Sequence, residues 1–362
     1  MQQRCRSFGG PAREEGDTVK ALLLVQTGQV ALREVEAPRP GPGEVLIEVA
    51  ACGICHTDLH YIDHGVPTFK APVILGHEVS GVVAACGTEV KKFRQGDRVL
   101  LPAVFTCGVC RNCRNGRENI CEQMKMLGNH IDGGFADYVV APAKDCFLLP
   151  RELPLAEACL IGDALSTPYH AVKHRAQVRV GETVAVFGCG GVGINAVQFA
   201  ALAGAHVIAV DIDDRKLEWA RRFGARDTLN PRSVERVEKE LKKRTGGGVD
   251  VAMEVIGKPE TLRTAYDSLR PGGRLCVVGY CAEPVTLPLS KTMFFELEIV
   301  GSLGCRPGDY PELIELVRSG RVQLEPLVTG RYPLDEIFQG FDALRRGDGL
   351  RGIVLPGQKR AA

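Results

Sequence analysis

From Val19 onward apolar residues come in short runs broken by glycine and proline, as in KALLLVQTGQVALREVEAPRPGPGEVLIEVAACGICHTD. This spacing predicts several strands joined by turns, and it continues through VSGVVAACGTEVKKFRQGDRVLLPAV. A twisted, largely antiparallel, barrel-like β domain is the simplest reading. Near Leu160 the pattern changes. GETVAVFGCGGVGINAVQFAALAGAHVIAVDIDDRKLEWARRFGA reads as strand, glycine turn, helix, strand, helix, the signature of a parallel doubly wound unit. VDVAMEVIG and GGRLCVVGY read as two more buried strands, with TLRTAYDSLRPGG as the helix between them. After Gly304 come a helical segment, YPELIELVRSG, and a final strand, GIVLP. The expected fold class is therefore α/β: a β-rich domain from residues 18–165 and 304–362 around a Rossmann-type unit at 166–303. The apolar segment FFELEIVGSLG, as the last strand of that unit, suggests edge-to-edge pairing between subunits, in a homodimer or homotetramer.

Composition narrows the partners. The 362 residues are 45% hydrophobic and 25% charged, and 45 Lys+Arg stand against 44 Asp+Glu. A net charge of +1 gives no support for nucleic-acid or membrane-surface binding. No apolar run reaches the roughly 18 residues of a spanning helix. Residues 1–17, MQQRCRSFGGPAREEGD, lack the apolar core of a secretory signal and read as a disordered extension. With 14 cysteines and no sign of export, a reduced cytoplasm with thiolates serving as ligands fits best.

Cys107, Cys110, Cys113 and Cys121 form C-x2-C-x2-C-x7-C, a spacing tight enough to indicate a metal. Four thiolates close the tetrahedral shell of Zn²⁺, which makes such a site structural and assigns a small lobe to about 104–122. Disulfides or an iron–sulfur cluster are the alternatives, although Cys121 is followed by Glu122 where a cluster motif often has proline.

Gly188, Gly190 and Gly193 form G-x-G-x-x-G directly after the strand TVAVF and before the helix INAVQFAALAG. In that context they read as a dinucleotide turn, Gly191 and Val192 included, with pyrophosphate at the helix N-terminus. Eighteen residues beyond Gly193, Asp211 ends the next strand and can accept from a ribose 2′-OH. Its charge would repel a 2′-phosphate, so NAD is expected over NADP, with Lys216 in reach of the ribose. A solvated carboxylate ending the strand is the alternative for Asp211. Metal-capable side chains concentrate in ACGICHTDLHYIDHG (51–65) and ILGHEVSG (74–81), where Cys55 and His77 are the natural first ligands of a catalytic zinc.

These motifs together resemble the zinc-containing alcohol dehydrogenases of the medium-chain dehydrogenase/reductase superfamily, over residues ~19–355. The markers are G-I-C-H-T-D at 53–58, G-H-E at 76–78, the cysteine lobe and G-x-G-x-x-G. The resemblance implies a GroES-like catalytic domain whose C-terminal part returns around a Rossmann domain, with two zinc ions per subunit and NAD. It makes Cys55, His77 and Asp163 ligands of catalytic zinc, Asp163 standing where many relatives have Cys and others Asp. A helix N-cap is the alternative for Asp163. It makes Glu78 a carboxylate for ligand exchange and Asp58 the partner of His77. Thr57 and His60 become the proton relay from substrate to solvent. Thr167 and Val278 fall with the nicotinamide, and Arg351 with the pyrophosphate.

The implied reaction is reversible oxidation of a primary or secondary alcohol, probed by a small-molecule alcohol or carbonyl, with hydride passing to NAD. Within the family MKMLGNHIDGGFADYVVAPA and GDALSTPYHA look closest to 6-hydroxycyclohex-1-ene-1-carbonyl-CoA dehydrogenases. A short Cys121–Gly133 connection leaves room for a bulky or cyclic alcohol, and His56, His64, Asn129 and His130 are candidates for the cleft lining. Arg111 and Lys125 could meet CoA phosphates, or simply be solvated. A reductase of activated double bonds on the same scaffold is the competing activity, but that class typically lacks the zinc-ligand positions present here.

Overall fold

The computed structural model describes residues 17–358. The expected extension at 1–17 lies outside the described residues except for Asp17. Two compact units emerge, one up to Gly162 and again from Leu324, the other spanning Asp163–Gln323.

The first unit is built on a seven-stranded sheet. Its order is Phe147–Leu148, Arg98–Leu101, Glu78–Cys86, Glu44–Gly53, Arg351–Leu355, Val328–Pro333, with Tyr138–Pro142 also paired to Glu44–Gly53. Pairing is antiparallel except for the last couple, Val328–Pro333 and Arg351–Leu355, which run parallel. The helix Ile337–Arg346 supplies the crossover that a parallel pair requires. A three-stranded sheet of Gln29–Glu36, Thr18–Gln26 and Val73–Ile74 accompanies it. Alternation along these strands feeds one apolar cluster holding Leu22, Leu24, Ile47, Leu75, Phe135 and Phe341. Phe135 is fully buried and meets the Phe341 ring edge to face at 6.0 Å.

The second unit is a six-stranded, wholly parallel sheet. Along the chain its strands are Thr183–Phe187, His206–Val210, Asp227–Leu229, Val249–Glu254, Leu269–Val277 and Glu298–Gly301. Across the sheet they run third, second, first, fourth, fifth, sixth, the order of the doubly wound dinucleotide fold. The direction reverses between Thr183–Phe187 and Val249–Glu254, so a crevice for ligands is expected at their carboxyl ends. Helix Gly193–Leu202 is buried almost throughout, and two of its polar residues join the ends of the unit. Asn195 donates to Ala164 O at 3.1 Å, while Gln198 donates to Asn195 and Gln323 O and accepts from Gln323 N.

Two boundaries differ from the sequence expectation. The return to the first unit comes after Gln323, not near residue 304, because helix Tyr310–Arg318 buries Leu313, Ile314, Leu316 and Val317 within the second unit. The helix expected over TLRTAYDSLRPGG stops at Asp267, and the next strand starts at Leu269 with Gly272 at φ +73°. Among the described residues no helix is long and apolar enough to cross a membrane.

Truncating Phe135 removes the largest ring from the centre of the first unit's core. We expect Phe135→Ala to lower stability by about 3–5 kcal/mol, read from urea unfolding with an unchanged m-value.

Candidate active site and metal centres

The cysteine lobe closes as its spacing predicts. Cys107, Cys110, Cys113 and Cys121 bring their sulfurs within 4.8 Å of one another. Individual S···S separations are 3.5 Å for Cys110–Cys113 and 3.9 Å for both Cys107–Cys113 and Cys110–Cys121. A tetrahedral shell with Zn–S bonds of about 2.3 Å has an S···S edge of about 3.8 Å, so the cage fits zinc. Backbone N–H groups face the sulfurs: Val109 and Cys110 donate to Cys107, Cys113 to Cys110, and Cys107 and Gln123 to Cys121. Donors from Cys113 and Glu122 hold the Cys110 thiol down at about 6, and those from Val109 and Cys110 lower Cys107. Such groups favour thiolate, the form that binds metal.

A second group lies in the first unit at the end of strand Glu44–Gly53. Here the sequence had suggested only strands and turns, yet His56–Ile62 forms a helix with Cys55 at its N-cap. Asp58 Oδ2 accepts from the Cys55 N–H at 3.0 Å, the half of a capping box that a short-range [ST]-x-x-[DE] search misses because cysteine occupies the cap. The other oxygen, Oδ1, stands 3.7 Å from His77 Nδ1. One buried carboxylate thus faces both Cys55 and His77. The ligand-capable atoms of Cys55, His77, Glu78 and Asp163 fall within 4.8 Å of one another, Asp163 being the residue that follows the first unit's turn Glu157–Gly162. Asp163 does not cap the next helix. The cap is Leu165, while Asp163 Oδ1 accepts from Thr167 Oγ1 at 2.5 Å. Thr167, expected beside nicotinamide, therefore braces the Asp163 carboxylate.

Glu78 explains a motif glycine. A Cβ at Gly53 would sit 2.2 Å from Glu78 Oε2, so only glycine lets this carboxylate lie against the strand. Arg351 lies 3.2 Å from Glu78 Oε1 and donates to Ile54 O at 2.9 Å. It is 4% exposed. Within the first unit this guanidinium is anchored between the Glu78 carboxylate and the Ile54 carbonyl. Cys55, His77, Glu78 and Asp163 together offer a thiol, an imidazole and two carboxylates, a donor set that suits a divalent cation.

Thr57 Oγ1 lies 3.6 Å from Cys55 Sγ, and His60 follows three residues later on the same helix face. Burial, then the neighbouring His64 ring at 5.6 Å, lowers the His60 pKa. Of the other cleft candidates, His56 is exposed and Asn129 is a brace, donating to Tyr61 Oη at 2.8 Å. His130 stacks on Phe69 at 4.2 Å. Arg111 and Lys125 are exposed on the surface.

In the second unit the glycine turn has the anticipated geometry. A Cβ at Gly193 would meet Gly188 O at 1.8 Å, whereas one at Gly190 would find nothing within 4 Å. The middle of the turn, with Gly191 and Val192, is thus an open cradle at the start of helix Gly193–Leu202, suited to a pyrophosphate. Asp211 closes it from the side. Its Oδ2 accepts from Cys189 N at 2.7 Å and its Oδ1 from Asp213 N at 3.0 Å, so it is a fixed element of the turn and not a solvated strand end. Lys216 is half-buried on the helix that follows, and Val278 donates to Glu254 O at the carboxyl end of the sheet. Glu254 escaped sequence reasoning. It is fully buried, accepts from Ile256 N, Gly257 N and Thr261 Oγ1, and burial raises its pKa. Its only signal was an acidic residue ending an apolar strand.

A cysteine metal lobe, a buried Cys/His/carboxylate group and a dinucleotide turn on these two folds define a zinc-type, nucleotide-linked oxidoreductase. Residues 41–151 match the alcohol dehydrogenase GroES-like domain and 191–319 the zinc-binding dehydrogenase domain. The chain is 36% identical over 340 residues to an alcohol dehydrogenase of Geobacillus stearothermophilus, covering 93% of this chain and 99% of that one. It is 37% identical over 335 residues to a sorbitol dehydrogenase of Bacillus subtilis, covering 91% and 93%. A chain described as a zinc-binding dehydrogenase from Sinorhizobium meliloti 1021, solved with NADP, superposes with a TM-score of 0.86 at 31% identity, covering 94% and 100%. The chain belongs to the zinc-dependent alcohol dehydrogenases of the medium-chain dehydrogenase/reductase superfamily.

Stripping metal from the lobe should leave Cys110 the most reactive of its four thiols. Alkylation at pH 7 followed by peptide mass spectrometry is expected to label Cys110 first after chelation, and none of the four once zinc is restored.

Proposed function

We propose that the protein oxidises a bulky or cyclic alcohol reversibly to its carbonyl, with zinc held by Cys55, His77 and Asp163 and NAD as partner. The convergence of those three side chains in one buried group carries the reading. Zinc would supply the Lewis acid for the alcohol oxygen, and the dinucleotide would supply the hydride acceptor. The remaining work belongs to the chain. Asp58 orients the ligands by holding the Cys55 amide and facing His77. Thr167 fixes the Asp163 carboxylate. Glu78, paired with Arg351, stands by as an exchange ligand. Thr57 takes the alcohol proton through its hydroxyl, and His60, kept neutral by burial, receives it and returns it to solvent. The four-cysteine lobe would hold the second zinc, in a structural role.

Asp211 supports NAD over NADP, because its carboxylate is locked by two backbone amides where a 2′-phosphate would otherwise lie. A cyclic hydroxyacyl thioester remains the specific substrate favoured by the segments around Met124 and Gly162. The likeness to a sorbitol dehydrogenase supports a second reading, a vicinal diol or polyol. The apolar edge of the second unit, with Leu289, Met293 and Phe294 exposed beside the edge strand Glu298–Gly301, supports a homo-oligomer.

The test is zinc per chain together with NADH formation on cyclohexanol, butane-2,3-diol, sorbitol and a cyclic hydroxyacyl-CoA. Asp163→Ala is expected to lose about one of two zinc ions and about a hundredfold or more in turnover. Retention of both ions with full turnover would overturn the ligand assignment. Replacing NAD by NADP should cost about tenfold or more in kcat/KM, and Asp211→Asn should narrow that gap.

A lowered pKa means that His60 becomes protonated only below its ordinary value of 6.5. The acid limb of kcat/KM is therefore expected below pH 6.5, moving upward in His64→Ala as the neighbouring ring is removed. His60→Gln should lose that limb and roughly tenfold to a hundredfold in rate.

A further inference from the structure

The second unit carries a further group of metal-capable side chains. His170, His174 and Asp309 bring one ligand atom each to within 4.8 Å of one another. The two histidines lie four residues apart, where helix Ser166–His170 widens into the π-helical turn Ala171–Arg175 closed by Ala176 N on Ala171 O. Single π turns inside helices are rare and concentrate at functional sites. Asp309 comes from the turn Pro307–Asp309, far along the chain.

The contacts within this group centre on a cation, the Arg306 guanidinium. His174 Nε2 and Asp309 Oδ1 are 3.1 Å apart. Arg306 Nη2 reaches both, at 2.6 Å from the ring nitrogen and 3.0 Å from the carboxylate. A guanidinium can only donate, so in the tautomer with Nε2 unprotonated the ring presents its lone pair to Arg306. In that tautomer an imidazole nitrogen and a carboxylate oxygen face one positive centre. Cys305 Sγ lies behind, 3.8 Å from Asp309 Oδ2, placed to orient the carboxylate as outer partners of metal ligands do. His170 and Asp309 are buried, whereas His174 and Arg306 retain some exposure, so the group opens to solvent on the arginine side.

We propose that His170, His174 and Asp309 form a third metal site, for a divalent ion of the zinc type, whose place is held by the Arg306 guanidinium when no ion is bound. Two imidazoles and one carboxylate are a borderline donor set that selects zinc, cobalt or nickel over magnesium or calcium. Burial favours neutral imidazoles, the ligating form, at both His170 and His174. Three protein ligands leave a position for water, so the ion exchanges more readily than one in a four-cysteine cage. His170 stands one turn beyond Thr167, which braces Asp163, so an ion here would stiffen the helix carrying that brace.

Displacement of Arg306 makes the proposal testable without reference to turnover. Zinc bound by the full-length protein is measured by equilibrium dialysis over a range of free zinc, for the parent, Arg306→Ala, His174→Ala and the double variant. The parent is expected to bind one equivalent more than His174→Ala. In Arg306→Ala that equivalent should tighten by about tenfold or more, since the competing cation is gone. The double variant should lack it while keeping the remaining equivalents. Equal zinc in all four proteins at every concentration would show an Arg306 ion pair only and overturn the site. If His174→Ala fails to fold, His170→Gln in the Arg306→Ala background gives the same comparison.

Discussion

Burial of charge at the end of strand Glu44–Gly53 constrains the whole first unit. Asp58, His77, Glu78 and Arg351 are each 4% exposed or less, a concentration of ionisable groups that water cannot screen. Removing charges from water costs several kcal/mol per ion unless partners replace the lost hydration. Arg351 supplies one compensating charge from the last strand, Asp58 turns towards a backbone amide, and a divalent ion matches the surplus of acidic groups. The pairing of Arg351–Leu355 with Glu44–Gly53 brings the guanidinium to Glu78. The chain's C-terminal return thus supplies a compensating charge as well as packing.

In the second unit fixed dipoles do comparable work without buried ions. The glycine turn leaves open space beside Gly190, and Asp211 accepts from the amides of Cys189 and Asp213. Glu254 ties down the loop at the carboxyl end of the neighbouring strand. Glu254 stands where the sheet order reverses and Asp211 one strand away, so the carboxyl ends of these strands carry side chains already held in place.

Much of this was legible because local spacing carries it. The cysteine lobe, the G-x-G-x-x-G turn and the strand–helix alternation all depend on neighbours within a few tens of residues. The helix at His56–Ile62 was not legible, since its cap is a cysteine and its apolar positions are too few for a periodic signal. The interior contacts of Arg351 were not legible, because its partners, Glu78 and Ile54, lie almost three hundred residues earlier in the chain. The return point was set too early because what holds Tyr310–Arg318 in the second unit is tertiary burial, invisible to a glycine count. Asp163 read as a ligand with a helix cap as the alternative, and its contact with Thr167 and its place beside Cys55 and His77 speak against the cap.

The polar staple on helix Gly193–Leu202 bears on how such a chain can fold. Asn195 and Gln198 join Ala164 to Gln323, tying the entry of the second unit to its exit. An unfolded insertion of that length would add closure entropy to every contact between the early strands and the returning C-terminal ones, a cost that grows with the logarithm of loop length. Once the inserted unit has folded and its ends are stapled, the host sheet meets a connection only a few residues long. Prior folding of the inner unit would thereby lower the entropic cost of completing the outer one.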